Sequence, residues 1–304
     1  MDAVLRAEGE PKQDLAQRMT RAFAESSLDF SARPEVPPIG WLALPEIEVA
    51  ERLRGNGADN VAVRLFVTFV AALDRARDAT ALWRAAEQLW IEAPWAFDPE
   101  GAIRAGSKLA ASLKEHRVSQ RHTHDSDGWR QIAFSLAGSR TAPLVHRAIY
   151  EGEGDAIELL SSVQDERDGR SLFPFLRGPK ISPMWVRMLA FPGNAHISSI
   201  DRVPAAVDVH VLRVTEYLGV ASTLGSDAGR IRRRVQEGWF EQVRASGAAG
   251  PPGLENSSAI LDPVLWVWGK WGCAFCELAG ERRPIGDACA GCRFDGTRRA
   301  GQLC

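Results

Sequence analysis

Apolar residues recur every three or four positions through much of this chain, and this spacing limits its possible folds more than any other feature. An α-helix with 3.6 residues per turn places such positions on one face, where they can be buried together. Alternating apolar and polar residues, as in a half-buried strand, are confined to a short stretch near residues 196–207. The sequence therefore predicts an all-α fold with short connections. Helices are predicted at residues 61–73, 79–91, 102–115, 128–137, 142–149 and 156–163.

The chain length allows one large domain or two modest ones. Its 304 residues are enough to bury a substantial core. A helix is predicted within residues 5–30, and the prolines within residues 34–45 interrupt regular structure after it. We predict three segments: an N-terminal extension at residues 1–60, a helical core at residues 61–272 and a tail at residues 273–304.

Neither a membrane span nor a secretory signal is indicated. The sequence has no run of about 18 apolar residues, which is the minimum for crossing a bilayer as a helix. The first residues lack the basic segment and apolar stretch of a secretory signal. We therefore expect a cytoplasmic protein.

Two histidines, His122 and His124, lie in the polar stretch 121–127. They could ligate a metal ion, but only the neighbouring Asp125 adds a further donor there. A solvated polar loop is the favoured interpretation of this stretch.

Positive charge is concentrated in one part of the chain. The net charge is −2, but residues 169–234 hold ten Arg and Lys against four Asp and Glu, a local excess of +6. Binding to nucleic-acid phosphates needs such local charge rather than a basic whole protein. The alternative is that its basic run, Arg232–Arg234, only covers the solvated face of a helix.

Four of the five cysteines form two C-x-x-C pairs. Cys273 and Cys276 are followed after twelve residues by Cys289 and Cys292. Four thiolates at this spacing can surround a tetrahedral zinc ion, and four cysteines can also hold an iron–sulfur cluster. We predict a metal site here and favour Zn²⁺, with a 4Fe–4S cluster as the alternative. Cys304 is expected to be a free thiol.

A tight turn between two helices is predicted around Lys180, within a hairpin at residues 172–190. Gly178 lets another backbone approach, and the amide groups at the following helix start can bind a phosphate. Arg177 and Gly178 are therefore candidate DNA contacts, although a plain helix connection is the alternative. Lys180 is one of only five lysines, and a lysine, unlike an arginine, can become an amine nucleophile.

Asp208 lies 28 positions after Lys180 and begins another predicted helix. Val209–Leu218 has helical periodicity, and Gly219 supplies a stop. Asp208 can therefore be a plain N-cap. A carboxylate and an amine are also the groups needed to attack a sugar carbon and to stabilise the positive charge that develops there. Both interpretations of Asp208 can hold at once.

The hairpin that ends in Lys180, followed by Val207-Asp208-Val209-His210, resembles the helix-hairpin-helix DNA glycosylases. The resemblance covers residues 60–272 and is closest to the archaeal-type 8-oxoguanine glycosylase branch, in which the hairpin and the Asp are also widely separated. It implies a two-lobed helical fold, to which the four-cysteine tail is added. It also supplies the iron–sulfur alternative, because the endonuclease III branch often carries a four-cysteine cluster after its last core helix.

The resemblance also assigns roles to individual residues. It implies that Lys180 forms a Schiff base with the sugar and that Asp208, in the segment 205–219, assists it. His210 is implied to lie near a backbone phosphate, and Asp262 and Trp266, four residues apart, are implied to contact the flipped base. From the residues alone, Asp262 could equally cap a helix before Pro263.

The predicted function is that of a DNA glycosylase with AP lyase activity, acting on an 8-oxoguanine-like base in double-stranded DNA. We expect a monomer in the cytoplasm, associated with the nucleoid. Two alternatives stay open. One is a glycosylase directed at hypermodified bases of phage DNA, and the other is a DNA-binding protein without catalytic activity.

Overall fold

The structure is a computed structural model that describes residues 14–30, 36, 39–167 and 170–294. These residues are predominantly helical, which confirms the all-α expectation at the level of fold class. In chain order the helices are α1 Leu15–Ala24, α2 Pro45–Gly55, α3 Asn60–Leu73, α4 Ala79–Glu92, α5 Pro99–Arg104, α6 Ser107–Glu115, α7 His122–Ala137, α8 Pro143–Tyr150, α9 Ala156–Gln164, α10 Ile181–Ala190, α11 Val209–Leu218, α12 Ala228–Ser246, α13 Leu261–Val267 and α14 Ala274–Ala279.

Four very short strands form two small sheets in the described residues. β1 (Glu153–Asp155) pairs in parallel with β4 (His196–Ser198). β2 (Glu166–Arg167) pairs antiparallel with β3 (Arg170–Ser171). A π-helical turn, Trp268–Cys273, joins α13 to α14. The strand predicted near residues 196–207 is confirmed only as β4.

The chain divides into two compact units. One comprises residues 44–203, and the other combines residues 1–43 with residues 204–304. This division cuts across the three predicted segments, because residues in α1 pack with the C-terminal part of the chain. The Thr20 hydroxyl of α1 accepts a hydrogen bond from the Ala249 amide at 2.9 Å.

An aromatic cluster organises the core of the unit formed by residues 44–203. Every residue of α3 from Val63 to Leu73 is buried. Phe69 stacks on Trp129 of α7 with ring centroids 4.7 Å apart. Helix α10 joins this core through Trp185, whose indole donates to the Thr68 hydroxyl at 2.9 Å. Helix α10, which begins directly after Lys180, is therefore anchored to the centre of the unit.

The discontinuous unit has its own core around α11, α12 and α13. The buried indole of Trp239 on α12 donates to Thr215 of α11 at 2.7 Å. The loop after α1 is hydrogen-bonded to the C-terminal part of the chain, since the Asp29 amide donates to the Ile285 carbonyl at 3.0 Å. Residues 14–30 are thus an integral part of this unit rather than a separate extension.

Two sequence-based expectations about local structure are wrong. Residues 121–127 are not a loop, because α7 begins at His122. The Asp125 carboxylate accepts hydrogen bonds from the Gln120 and Arg121 amides and caps the helix from within. The hairpin at 172–190 has only its second helix, since residues 172–180 are turns and bends.

Among the described residues, none of the helices combines the length and the apolar character needed to cross a membrane.

Candidate functional site

Asp208 is the N-cap of α11. Its Oδ1 accepts hydrogen bonds from the amides of His210 at 2.9 Å and Val211 at 3.1 Å. The helix ends at Gly219, which has a left-handed backbone with φ of 69°. The predicted bounds of this helix are therefore confirmed, and the capping role of Asp208 with them. These two hydrogen bonds from backbone amides fix the carboxylate at the positive end of the helix.

The segment before Asp208 is buried and held in place. Ala205, Ala206 and Val207 are each at most 5% exposed. The Gln236 side chain on α12 donates to the Ala205 carbonyl at 3.1 Å. The carboxylate is thus positioned from both sides, by a packed segment before it and by the helix it caps.

Helix α11 packs very closely against the π-helical turn, and Gly269 makes this possible. A Cβ at position 269 would lie 2.7 Å from the His210 Cα, closer than real Cβ atoms come. Arg213 on α11 reinforces the contact by donating to the Gly269 carbonyl at 3.2 Å. The start of α11 is therefore locked to the helix that carries Trp266.

Trp266, Lys270 and Trp271 form a partly exposed cluster beside this contact. The Lys270 Nζ lies 4.3 Å from the Trp266 ring centroid and 4.8 Å from the Trp271 ring centroid. His210 meets Trp266 edge-on, with ring centroids 6.0 Å apart and an interplanar angle of 76°. The structure thus brings the predicted residues His210 and Trp266 together. It adds Lys270 and Trp271, which sequence reasoning missed. The sequence signal that could have found them is their position four and five residues after Trp266.

Asp262 lies in the first turn of α13, one turn before Trp266, as the sequence predicts. Its exposure is only 8%. Both residues are on the same short helix, so their predicted proximity along one face is consistent with the structure. Asp262 is therefore a buried residue.

Lys180 belongs to the other unit and directly precedes α10. It lies within electrostatic range of Asp74, a carboxyl at the end of α3 that is 8% exposed. Burial raises the pKa of Asp74, while the positive charge of Lys180 and a hydrogen bond from Trp83 oppose that rise. Asp74 lies 106 positions before Lys180, so sequence reasoning missed this pairing.

The turn before Lys180 is held by its own hydrogen bonds. The Gly178 carbonyl accepts from the Ser182 amide at 2.9 Å and from its hydroxyl at 3.0 Å. Apart from Gly178 itself and its two chain neighbours, no atom of the described residues lies within 4 Å of a Cβ built at this position. The exposed Arg177 side chain forms an ion pair with Glu166. A ligand can therefore approach the backbone at Gly178. The neighbouring Arg177 guanidinium, however, is already paired with the Glu166 carboxylate.

The four tail cysteines line one small cavity of about 20 Å³, which is large enough for a single ion or water. Burial raises the pKa of the Cys273 thiol well above its ordinary value, and the other three cysteines raise it further. Burial also raises the pKa of Cys292. The thiols are therefore close enough to influence one another's charge.

The donor types at this cavity fit a metal site. Cys276 accepts a hydrogen bond from the Arg283 amide at 3.2 Å, and Cys292 accepts one from the Phe294 amide at 3.5 Å. Such N–H donors stabilise thiolate sulfurs. As the side chains stand, however, no three His, Cys, Asp or Glu residues in the described part of the chain are gathered closely enough to hold a metal. Cys304 lies outside the described residues.

Helix α12 carries the basic run. Arg233 and Arg234 are exposed, while Ile231 and Val235 are buried against the unit. Arg230 forms an ion pair with Asp227 at 2.9 Å. The run thus covers the solvated face of a helix, where it is also accessible to a phosphate backbone.

Comparison of the chain with protein-family models, with curated proteins and with solved structures found no match. The interpretation of the site therefore depends on its residues and their geometry.

Proposed function

We propose that this protein is a DNA glycosylase that removes a damaged or modified base, with Asp208 as its catalytic carboxylate. The observation that carries the proposal is the arrangement in the discontinuous unit. There, a carboxylate fixed at a helix start lies two residues before His210, which contacts the partly exposed Trp266. A fixed carboxylate stabilises the positive charge of a sugar that is losing its base, and an indole holds a flipped base by stacking.

The reaction breaks the bond between the sugar C1′ and the base nitrogen, and the base leaves with the electron pair. Positive charge then develops on the sugar, and the Asp208 carboxylate lowers the energy of that state. A nucleophile completes the substitution at C1′. Because two hydrogen bonds from backbone amides already orient the carboxylate, little reorganisation is needed as positive charge develops on the sugar.

In the lyase form of the proposal, the nucleophile is the Lys180 amine. The amine displaces the base at C1′ and loses a proton. The C1′–O4′ bond of the sugar then breaks, O4′ takes up a proton, and the nitrogen lone pair forms the C1′=N bond of the Schiff base. Loss of a C2′ proton from this Schiff base allows the 3′ phosphate to be eliminated. If water attacks instead, the protein is a glycosylase without lyase activity.

The experiment that tests this proposal is borohydride trapping on duplexes carrying 8-oxoguanine, uracil, an abasic site or a hypermodified cytosine. We expect a covalent adduct with one of these substrates, lost in Lys180→Ala and retained in Lys114→Ala. An adduct that persists in Lys180→Ala would reject Lys180 as the nucleophile. Alkali-sensitive sites without an adduct would indicate a water-using enzyme, and no product on any duplex would count against the glycosylase proposal.

Double-stranded DNA binding without catalysis is the second candidate. It is favoured by one observation, namely that the two hydrogen bonds from the His210 and Val211 amides account for the position of Asp208 without any chemistry. Asp208→Asn separates the two functions, because an asparagine also caps a helix. Catalysis requires that this variant bind DNA but release no base, whereas a binding protein would show no difference from the wild type.

We further propose that Cys273, Cys276, Cys289 and Cys292 hold Zn²⁺, with a 4Fe–4S cluster as the alternative. Bound zinc would stabilise the tail and would take no part in base removal. Metal analysis of the purified protein distinguishes the two, since only the cluster brings iron and visible absorption. Cys292→Ser should lower the metal content, and an unchanged content would reject the assignment.

A further inference from the structure

The stretch from Leu261 to Cys273 is buried except at three positions, which are Trp266, Lys270 and Trp271. Lys270 contacts both tryptophans, since its single ammonium lies 4.3 Å from the Trp266 ring centroid and 4.8 Å from the Trp271 ring centroid. A helix that is buried almost all round thus presents one compact surface made of a cation and two aromatic rings.

The π-helical turn explains how Trp271 joins this surface. In a regular α-helix, residues five positions apart point about 140° away from each other. A π-helix has hydrogen bonds between residues five apart, so it turns less per residue. The turn at Trp268–Cys273 therefore brings Trp271 round towards the side that carries Trp266. Turns of this kind are frequent at functional sites.

The indole of Trp266 also lies beside the start of α11. The His210 and Trp266 ring centroids are 6.0 Å apart at an interplanar angle of 76°, and the close packing at Gly269 holds the two elements together. The indole is therefore a fixed platform, whereas Lys270 has a long unbranched side chain that can adopt other rotamers.

We propose that Lys270 covers the face of Trp266 in DNA-free protein and yields that face to a flipped base, moving its ammonium to a DNA phosphate. This inference rests on the proposed function, since it assigns a positioning residue to the same site. An indole face can bind either a cation or a base, and a stacked base is held more tightly than a partly exposed cation. A phosphate then offers the displaced ammonium a partner of opposite charge.

The proposal predicts a change in the salt dependence of DNA binding. The probe is a duplex that carries a single 8-oxoguanine base on a 2′-fluorinated sugar. The electron-withdrawing fluorine slows loss of the base during the measurement. Each phosphate contact contributes about 0.9 to the slope of log K against log salt. We expect Lys270→Met, which keeps the length but loses the charge, to reduce the slope by about that amount.

A matched control exists in the other unit. There, Lys108 Nζ lies 4.9 Å from the Trp95 ring centroid, which is a similar cation–π contact. Lys108→Met should leave the slope unchanged. A Lys270→Met slope equal to that of the wild type would overturn the proposal, as would an equal reduction in Lys108→Met.

A second measurement needs no DNA. If Lys270 covers Trp266, Lys270→Ala should increase acrylamide quenching of tryptophan fluorescence, and the increase should vanish when Trp266→Phe is added. No increase would reject the covering role even if the protein removes bases. If the wild type removes no base from any duplex but the quenching and the slope both change, the glycosylase proposal fails while the role of Lys270 in DNA binding stands.

Discussion

Asp208 and Lys180 both stand at the start of a helix, but the chain fixes them in different ways. Asp208 follows three buried residues and caps a helix that is locked against Gly269. Lys180 follows a stretch of turns, and the space around Gly178 is open. Tertiary packing positions the Asp208 carboxylate. The segment that leads to Lys180, in contrast, is held by hydrogen bonds within a local turn. A substitution near Asp208 should therefore affect the whole unit, and one near Lys180 should act locally.

Gly269→Ala should have the largest effect on stability. The new Cβ would overlap the backbone of His210, and a backbone cannot move aside as a side chain can. Overpacking of this kind costs about 1–3 kcal/mol, occasionally more. Urea unfolding followed by circular dichroism measures this loss. A loss below about 0.5 kcal/mol would mean that the start of α11 is not locked by this contact.

Asp208→Ala should cost about 1 kcal/mol, the usual value for a lost N-cap. Asp208→Asn should unfold close to the wild type, because the asparagine oxygen can accept the bonds from His210 and Val211. The same urea titration measures both variants. If the two variants were equally destabilised, the charge of Asp208 rather than its capping geometry would hold α11 in place.

Asp74→Asn tests the charge beside Lys180 through the pH dependence of stability. Burial raises the pKa of Asp74 in the folded protein, so folding takes up a proton and the wild type loses stability as pH rises from about 3.9 towards that raised value. The asparagine variant lacks this loss. Its stability relative to the wild type should therefore increase with pH across this range. Urea midpoints measured from pH 4 to pH 8 would contradict this prediction if the difference stayed constant.

Gly178→Ala should have the smallest effect. Beyond its chain neighbours, no atom in the described part of the chain lies within 4 Å of the new Cβ, so the free energy of unfolding should change by less than about 0.5 kcal/mol. DNA affinity, in contrast, should fall if a phosphate backbone approaches here. A stability loss as large as that of Gly269→Ala would remove the difference between the two helix starts.

The elements that the sequence predicts well are those defined by signals close together in the chain. Asp208, the apolar stripe of Val209–Leu218 and Gly219 lie within twelve residues, and α11 has the predicted bounds. The start of α7 was missed because its cap, Asp125, lies inside the helix and bonds backwards to Gln120 and Arg121. Local composition alone does not distinguish this arrangement from a loop.

The features that sequence reasoning missed depend on distant or unusual contacts. Asp74 and Lys180 are brought near each other by the packing of α3 against α10, which no local pattern shows. Trp271 lies on the same side as Trp266 and Lys270 because of the π-helical turn. The periodicity of an α-helix, on which the sequence-based predictions rest, places Trp271 elsewhere. The division into two units likewise depends on the packing of α1 against α12.

The unit that contains Asp208 is built from two stretches separated by the whole of residues 44–203. During synthesis on the ribosome, the inserted unit is complete before α11 has been made, and it can fold as a continuous piece. Helix α1 can pack its buried face, and Thr20 can accept the hydrogen bond from the Ala249 amide, only after α12 and Ala249 have been made. The proposed catalytic carboxylate is therefore assembled late, after the unit bearing Lys180 can already be folded. A nascent chain arrested before residue 204 should contain a protease-resistant fragment beginning near residue 44 and lack a folded α1.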